Sequence, residues 1–267
     1  MKLRGNVVNG VKLLASVMKL NRFIAPLKNA RERDDYEKER ELIAEVSSRW
    51  INDAIEIFDM HLDIKGRENI PDCPCVFIAN HQGYADIPAL LKALEGHATG
   101  FIAKDGFVKT PFLGPWIVRS RGLFIPTDSR DPRESLRIIN EGAELLEKGF
   151  SLTIFPEGKR SWSSVMDPLK AGSFKLATKA GVPIVPVTID GTYHMFEDNG
   201  CITRGQSASV TIHKPIETAG LSRHEQAELV GLVEETIRSA LPNRGFNIGD
   251  GSNLQVCGCV EEATAKV

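Results

Sequence analysis

Apolar positions along the chain follow two different periods. Leu42, Ile43, Val46, Trp50, Ile51, Ile55 and Phe58 recur at helical spacing, and so, less strictly, do Val7, Val8, Val11, Leu14, Val17, Met18, Leu20, Phe23 and Ile24. The two stripes predict a helical hairpin over 1–27 and 33–58, with Pro26 near its turn. Beyond it the pattern shortens to runs bounded by Gly, Pro and polar residues, which predict strands at 61–65, 76–79, 99–103, 122–126, 151–155, 182–189 and 210–212. Helices fall between most of them, but the strands at 99–103 and 122–126 are expected to be joined by a loop rich in Lys, Pro and Gly. One opens with Asp131 as its cap, Pro132 at the first position and Glu134 three residues after the cap, and stops at Gly149. A shorter one near 172–180 stops at Gly181, and Ser222 with Glu225 forms a capping-box start for a last helix through Leu241. This alternation implies an α/β fold, with a mixed, largely parallel β-sheet covered by helices and preceded by the N-terminal helical hairpin. The expected division is a helical pair over 1–58, an α/β domain over 59–242 and a loose tail over 243–267, which is rich in Gly and Asn and lacks periodicity.

Composition narrows the class. The 267 residues are 42% hydrophobic and 25% charged, with a formal net charge of −2, so a globular protein is expected and a nucleic-acid partner is not. No apolar run approaches the roughly 18 residues that span a bilayer. Charge is uneven, however, because residues 1–31 hold seven Lys or Arg and no acid. A basic amphipathic helix of this kind suits an anionic membrane surface, and it equally suits a helix packed on the body with its charges solvated. Asn9, Gly10 and Lys12 interrupt any signal-peptide core, which makes export unexpected. Cysteines at 73, 75, 201, 257 and 259 are odd in number and form no framework, as for free thiols in a reducing compartment. The pairs Cys73/Cys75 and Cys257/Cys259 are spaced more tightly than usual zinc ligands, and no metal site is expected from them.

The candidate chemistry lies where strands end. Residues 75–92, CVFIANHQGYADIPALLK, read as a strand, a polar corner with a flexible Gly83, and a helix start. His81 and Asp86 share that corner, five residues apart. Such a pair can serve as a general base and the carboxylate that orients it, with the reacting hydroxyl supplied by the substrate. Asp86 is also placed to be an ordinary helix cap, and His81 an ordinary polar residue at a strand end. A second corner, FPEGKRS at 155–161, sets Glu157, Gly158, Lys159 and Arg160 behind another strand, where glycine permits close approach of an anion and the cations supply charge. The alternative there is a solvent loop with a surface ion pair. A third stretch, Lys104 to Arg121, mixes cations with Phe107, Phe112, Leu113 and Trp116, as either a cleft for an amphipathic molecule or plain core.

Taken in order, these blocks resemble the glycerolipid acyltransferase family, most closely its bacterial 1-acylglycerol-3-phosphate acyltransferases. NHQGYAD at 80–86 is similar to the family's Asn-His-x4-Asp block, FPEGKRS at 155–161 to its Phe-Pro-Glu-Gly-Thr-Arg-Ser block, and VPIVPV at 182–187 to its fourth block. The chain departs from the pattern at Thr127, where an arginine is usual, with Arg121 and Arg130 as neighbouring substitutes, and at Lys159, where threonine is usual. The resemblance implies transfer of a fatty acyl group from acyl carrier protein or coenzyme A to the hydroxyl of 1-acylglycerol 3-phosphate, giving phosphatidic acid, with no cofactor or metal. His81 is then the base and Asp86 its orienter. Lys104, Arg121, Arg130, Glu157, Gly158 and Arg160 are the implied substrate-binding residues, Glu157 as an orienter of backbone or Arg groups. Some bacterial members carry a membrane-docking helical pair, which implies a peripheral protein at the anionic cytoplasmic face of the cell membrane. Related readings are an acyltransferase acting on glycerol 3-phosphate or another lysolipid, a non-catalytic lipid-binding module, and a hydrolase that directs the same base at water.

Overall fold

The four residues of strand β2, Val76–Ala79, are all buried, and they divide between two cores by alternation. Val76 and Ile78 face one hydrophobic cluster, Phe77 and Ala79 the other, so the sheet is covered on both sides and this strand reads as an unbroken apolar run. The structure is a computed structural model and describes residues 2–109, 113–126 and 131–242. The expected tail at 243–267 with Cys257 and Cys259, and the candidate positions Phe112, Thr127 and Arg130, lie outside the described residues.

Helices α1 (Lys2–Lys19), α2 (Ile24–Glu32) and α3 (Tyr36–Phe58) come first. A 3-10 turn over Leu20–Phe23 joins α1 to α2. The hairpin turns at Arg33–Asp35, where Asp35 caps α3 by accepting the Lys38 N–H at 3.0 Å. Pro26 therefore does not mark the turn; it sits in the first turn of α2, where its missing N–H removes no helical bond. No helix of the described residues is long and apolar enough to cross a membrane.

After the hairpin, β1 (His61–Lys65) and β2 lead into α4 (Asp86–Ala93), β3 (Thr99–Lys104), α5 (Leu113–Arg119) and β4 (Leu123–Ile125). Then follow α6 (Pro132–Glu147), β5 (Ser151–Ile154), α7 (Lys175–Ala180), β6 (Ile184–Asp190), β7 (Ser207–Ile212) and α8 (Arg223–Ser239). The caps expected for α6 and α8 form: Asp131 accepts from the Arg133 N–H, and Ser222 and Glu225 make both bonds of a capping box.

The seven strands order as β1-β7-β6-β2-β5-β3-β4, and every pair is parallel except β6 with β7. The five strands from β6 to β4 consequently end at one edge of the sheet. The polar corners after β2, β5 and β6 meet there, at the edge where open α/β sheets collect ligands. Helices α6, α7 and α8 and the N-terminal hairpin share the first cluster, whereas α4 packs into the second.

Candidate active site

Asn80, the first residue past β2, ties the corner to its neighbour strand. Its side chain donates to the Ile189 carbonyl and accepts the Ile189 N–H, both at 2.8 Å, in place of further ladder bonds. The next residue, His81, places Nδ1 2.6 Å from Asp86 Oδ2. Asp86 has no exposed surface and its Oδ2 also accepts the backbone N–H groups of Gln82 at 2.6 Å and Gly83 at 2.9 Å. Its role is not that of a helix cap, because Ala85 holds that position and Asp86 is already the first residue of α4. A carboxylate that accepts at Nδ1 fixes the proton on that nitrogen and leaves Nε2 as the basic one. The imidazole is further held by stacking on Phe155, with ring centroids 4.3 Å apart at 22°.

Glu157 reaches the same corner from the turn after β5. Its Oε1 accepts the His81 N–H at 2.5 Å and its Oε2 the Asp167 N–H at 2.7 Å, so it bridges two backbone segments. Burial pushes this carboxyl up to about 8, against the pull of the two N–H donors. Two backbone bonds complete the joint between the corners: Ser161 N–H to His81 O at 2.8 Å and Trp162 N–H to Gln82 O at 3.1 Å. Gly158 turns with φ of +71°, and a Cβ there would lie 2.4 Å from Lys170 Nζ. Lys170 is thus a cation at this turn, and Lys159 is drawn aside by Asp167 at 3.1 Å.

Arg160 directly precedes Ser161, whose N–H bonds the His81 carbonyl. It pairs with Glu197 at 3.1 Å and stacks on Tyr84, with its guanidinium carbon 3.8 Å from the ring centroid. Glu197 Oε1 also accepts the Tyr84 N–H at 2.8 Å, and burial pushes its carboxyl upward. A Cβ at Gly83 would come within 2.4 Å of Glu197 Oε2, so a larger residue there would displace that carboxylate. Asp190, Gly191 and Thr192 enter from the end of β6. Gln82 donates to Asp190 Oδ1 at 2.9 Å and accepts the Gly191 N–H at 2.9 Å, and the Thr192 hydroxyl donates to Asp86 Oδ1.

The structure therefore brings His81, Asp86, Glu157, Gly158 and Arg160 together. Lys104 ends β3 at the same sheet edge, exposed to solvent. Arg121 is placed elsewhere. It precedes β4, which runs parallel to β3, so it lies at the opposite edge, and its guanidinium is taken by Glu39 at 2.9 and 2.7 Å. Arg31 of the hairpin joins the same buried carboxylate, and the Arg121–Glu39 pair ties the hairpin to the body. Asn80 entered the sequence reading only as the first residue of the Asn-His-x4-Asp block, and Gln82, Asp190, Thr192 and Glu197 carried no role there. The position of Asp190 and Thr192 at the end of a buried strand, like the other two corners, offered a signal for these two.

Residues 61–190 match the family model described as Acyltransferase. A chloroplastic 1-acyl-sn-glycerol-3-phosphate acyltransferase of Brassica napus is 38% identical over 175 residues, 64% of this chain and 49% of that protein. The 1-acyl-sn-glycerol-3-phosphate acyltransferase of Borreliella burgdorferi is 27% identical over 174 residues, 65% of this chain and 69% of that protein. The crystal structure of the Thermotoga maritima 1-acyl-sn-glycerophosphate acyltransferase superposes with a TM-score of 0.70 at 27% identity, covering 89% of this chain and 95% of that one. The match spans about half the length of the Brassica napus protein and of a chloroplastic relative from Arabidopsis thaliana, 49% and 48%.

Proposed function

Because the chain belongs to the glycerolipid acyltransferase family, we propose that it transfers a fatty acyl group from a thioester to the free hydroxyl of 1-acylglycerol 3-phosphate, giving phosphatidic acid. One observation carries the mechanism: Asp86, fully buried, holds His81 Nδ1 at 2.6 Å, beside a cationic turn and at the ligand-collecting edge of the sheet. His81 Nε2 takes the proton from the acceptor hydroxyl as its oxygen attacks the thioester carbonyl. The tetrahedral intermediate then collapses, the carbon–sulfur bond breaks, and the departing thiolate recovers the proton from His81. An ester has formed, a thiol has left, and the imidazole is neutral again without an acyl-enzyme.

Arg160 is the proposed ligand of the acceptor's phosphate, with Gly158 allowing close approach and Lys104 supplying charge from β3. Glu157 is assigned to orienting the His81 backbone, because both of its oxygens are already taken by the His81 and Asp167 N–H groups. Holding acceptor and thioester in register supplies part of the rate, up to roughly 7–11 kcal/mol of the barrier in well-oriented reactions.

The hairpin is the proposed docking element for the anionic cytoplasmic face of the cell membrane. Val8, Val11, Leu14 and Met18 are exposed on α1, beside exposed Lys12, Lys19 and Arg22. Docking there concentrates the enzyme where lysolipid and acyl chain reside. Acyl carrier protein and coenzyme A remain the two proposed carriers of the donor.

The test is a labelled acyl thioester on each carrier, offered with 1-acylglycerol 3-phosphate, glycerol 3-phosphate and a lyso-aminolipid. Label is expected in phosphatidic acid. Label only in another acceptor would replace the substrate, and label only in free fatty acid would make the protein a hydrolase. Sedimentation with anionic vesicles tests docking: Val11→Asp with Leu14→Asp is expected to abolish it, and unchanged sedimentation would reject it.

A further inference from the structure

We propose that Thr192 is a positioning residue for the transfer, its hydroxyl pinning the Asp86 carboxylate that in turn holds His81. The inference rests on His81 being the base. Thr192 has no exposed surface and follows Gly191, whose φ of +89° turns the chain out of β6 and across the mouth of the corner. Its hydroxyl has two acceptors in reach. Gln82 Oε1, at 3.4 Å, already accepts the Gly191 N–H at 2.9 Å, whereas Asp86 Oδ1 is the shorter contact and takes the proton.

The distribution of donors around Asp86 makes this bond matter. His81 Nδ1 and the N–H groups of Gln82 and Gly83 all converge on Oδ2. Among the described residues Thr192 is the donor to Oδ1. The carboxylate plane is consequently held from two sides, by the turn that opens α4 and by the chain leaving β6. Without the hydroxyl, one oxygen of a fully buried carboxylate loses its donor, and the His81–Asp86 pair binds its shared proton more tightly. The other charged groups facing the pair are Glu157 from the turn after β5, Glu197 and Arg160 beside Gly83 and Tyr84, and Asp190 through Gln82. None of them contacts the Thr192 hydroxyl, so a change confined to that hydroxyl leaves them in place.

The experiment compares wild type, Thr192→Val, Thr192→Ala and Thr192→Ser in the kcat/KM–pH profile for acyl transfer to 1-acylglycerol 3-phosphate, and in the 15N titration of the His81 imidazole. The Val and Ala variants are expected to move the acid limb and the imidazole titration up by about one pH unit, the scale of one lost charged hydrogen bond. Ser is expected to restore both. Thr192→Ala, which adds no methyl group in place of the hydroxyl, covers the case where valine overpacks the site. Acid limbs at the wild-type position in Val and Ala, or a Ser variant shifted as far as Val, would overturn the inference. The imidazole titration needs no turnover. If it shifts while His81→Ala keeps full transfer activity, the reading of His81 as base fails and the Thr192–Asp86 coupling stands; if His81→Ala is inactive and nothing shifts, only the coupling fails.

Discussion

Glu157 and His81 are 76 residues apart in the chain, yet the Glu157 carboxylate accepts the His81 backbone N–H at 2.5 Å. Its second oxygen takes the Asp167 N–H at 2.7 Å, so one buried side chain joins the corner after β2 to the loop that follows β5. The proposed base is positioned through its backbone as well as through its ring.

That buried carboxyl carries a pH signature. It titrates near 4.5 when unperturbed and is raised to about 8 in the fold, chiefly by burial. Between those values the folded protein keeps a proton that the unfolded chain has released, so the group's contribution to stability is full below about pH 4.5 and is lost as pH rises through about 8. Urea unfolding of wild type and Glu157→Gln between pH 5 and pH 8.5 tests this. The wild-type advantage is expected to shrink with rising pH by up to a few kcal/mol; a constant difference would contradict it.

Arg160 is tied to Glu197 and Tyr84 rather than left loose in solvent, which gives it a fixed place to meet an anion. Arg160→Ala is expected to raise KM for 1-acylglycerol 3-phosphate about 10- to 100-fold, the scale of a lost charge-assisted bond, with a smaller change for monoacylglycerol. Equal losses for both acceptors in steady-state kinetics would remove phosphate binding from its role.

Glu39 has no exposed surface and accepts from both Arg31 and Arg121. Glu39→Gln leaves two guanidinium groups short of their counter-charge and is expected to cost about 3 kcal/mol in urea unfolding while leaving the acceptor KM unchanged. A raised KM with unchanged stability would return Arg121 to the substrate site.

The difference between Arg121 and Arg160 shows what the sequence could and could not reveal. Both are cations in motif-bearing loops, and nothing local separates them. Strand direction does, because Arg160 follows β5 and Arg121 precedes β4. Most helices, the strands and the corner holding His81 and Asp86 were legible because period, caps and turn residues are local signals, whereas α5 (Leu113–Arg119) forms where its Gly and Pro pointed to a loop. Thr192 and Glu197 were not, since their meaning comes from pairing across more than 100 residues, as between Thr192 and Asp86 or Glu197 and Tyr84. The place of Pro26 was missed for a smaller reason: a proline is tolerated in a first helical turn, so the break it signals can be a helix start.

The most direct test of the account is acyl transfer by His81→Ala, measured with labelled thioester and 1-acylglycerol 3-phosphate, alongside circular dichroism to show that the variant is folded. The account predicts a fall in kcat of about 10²–10⁴-fold with KM little changed, the contribution of a general base. A folded His81→Ala protein that transfers acyl groups at the wild-type rate would contradict it.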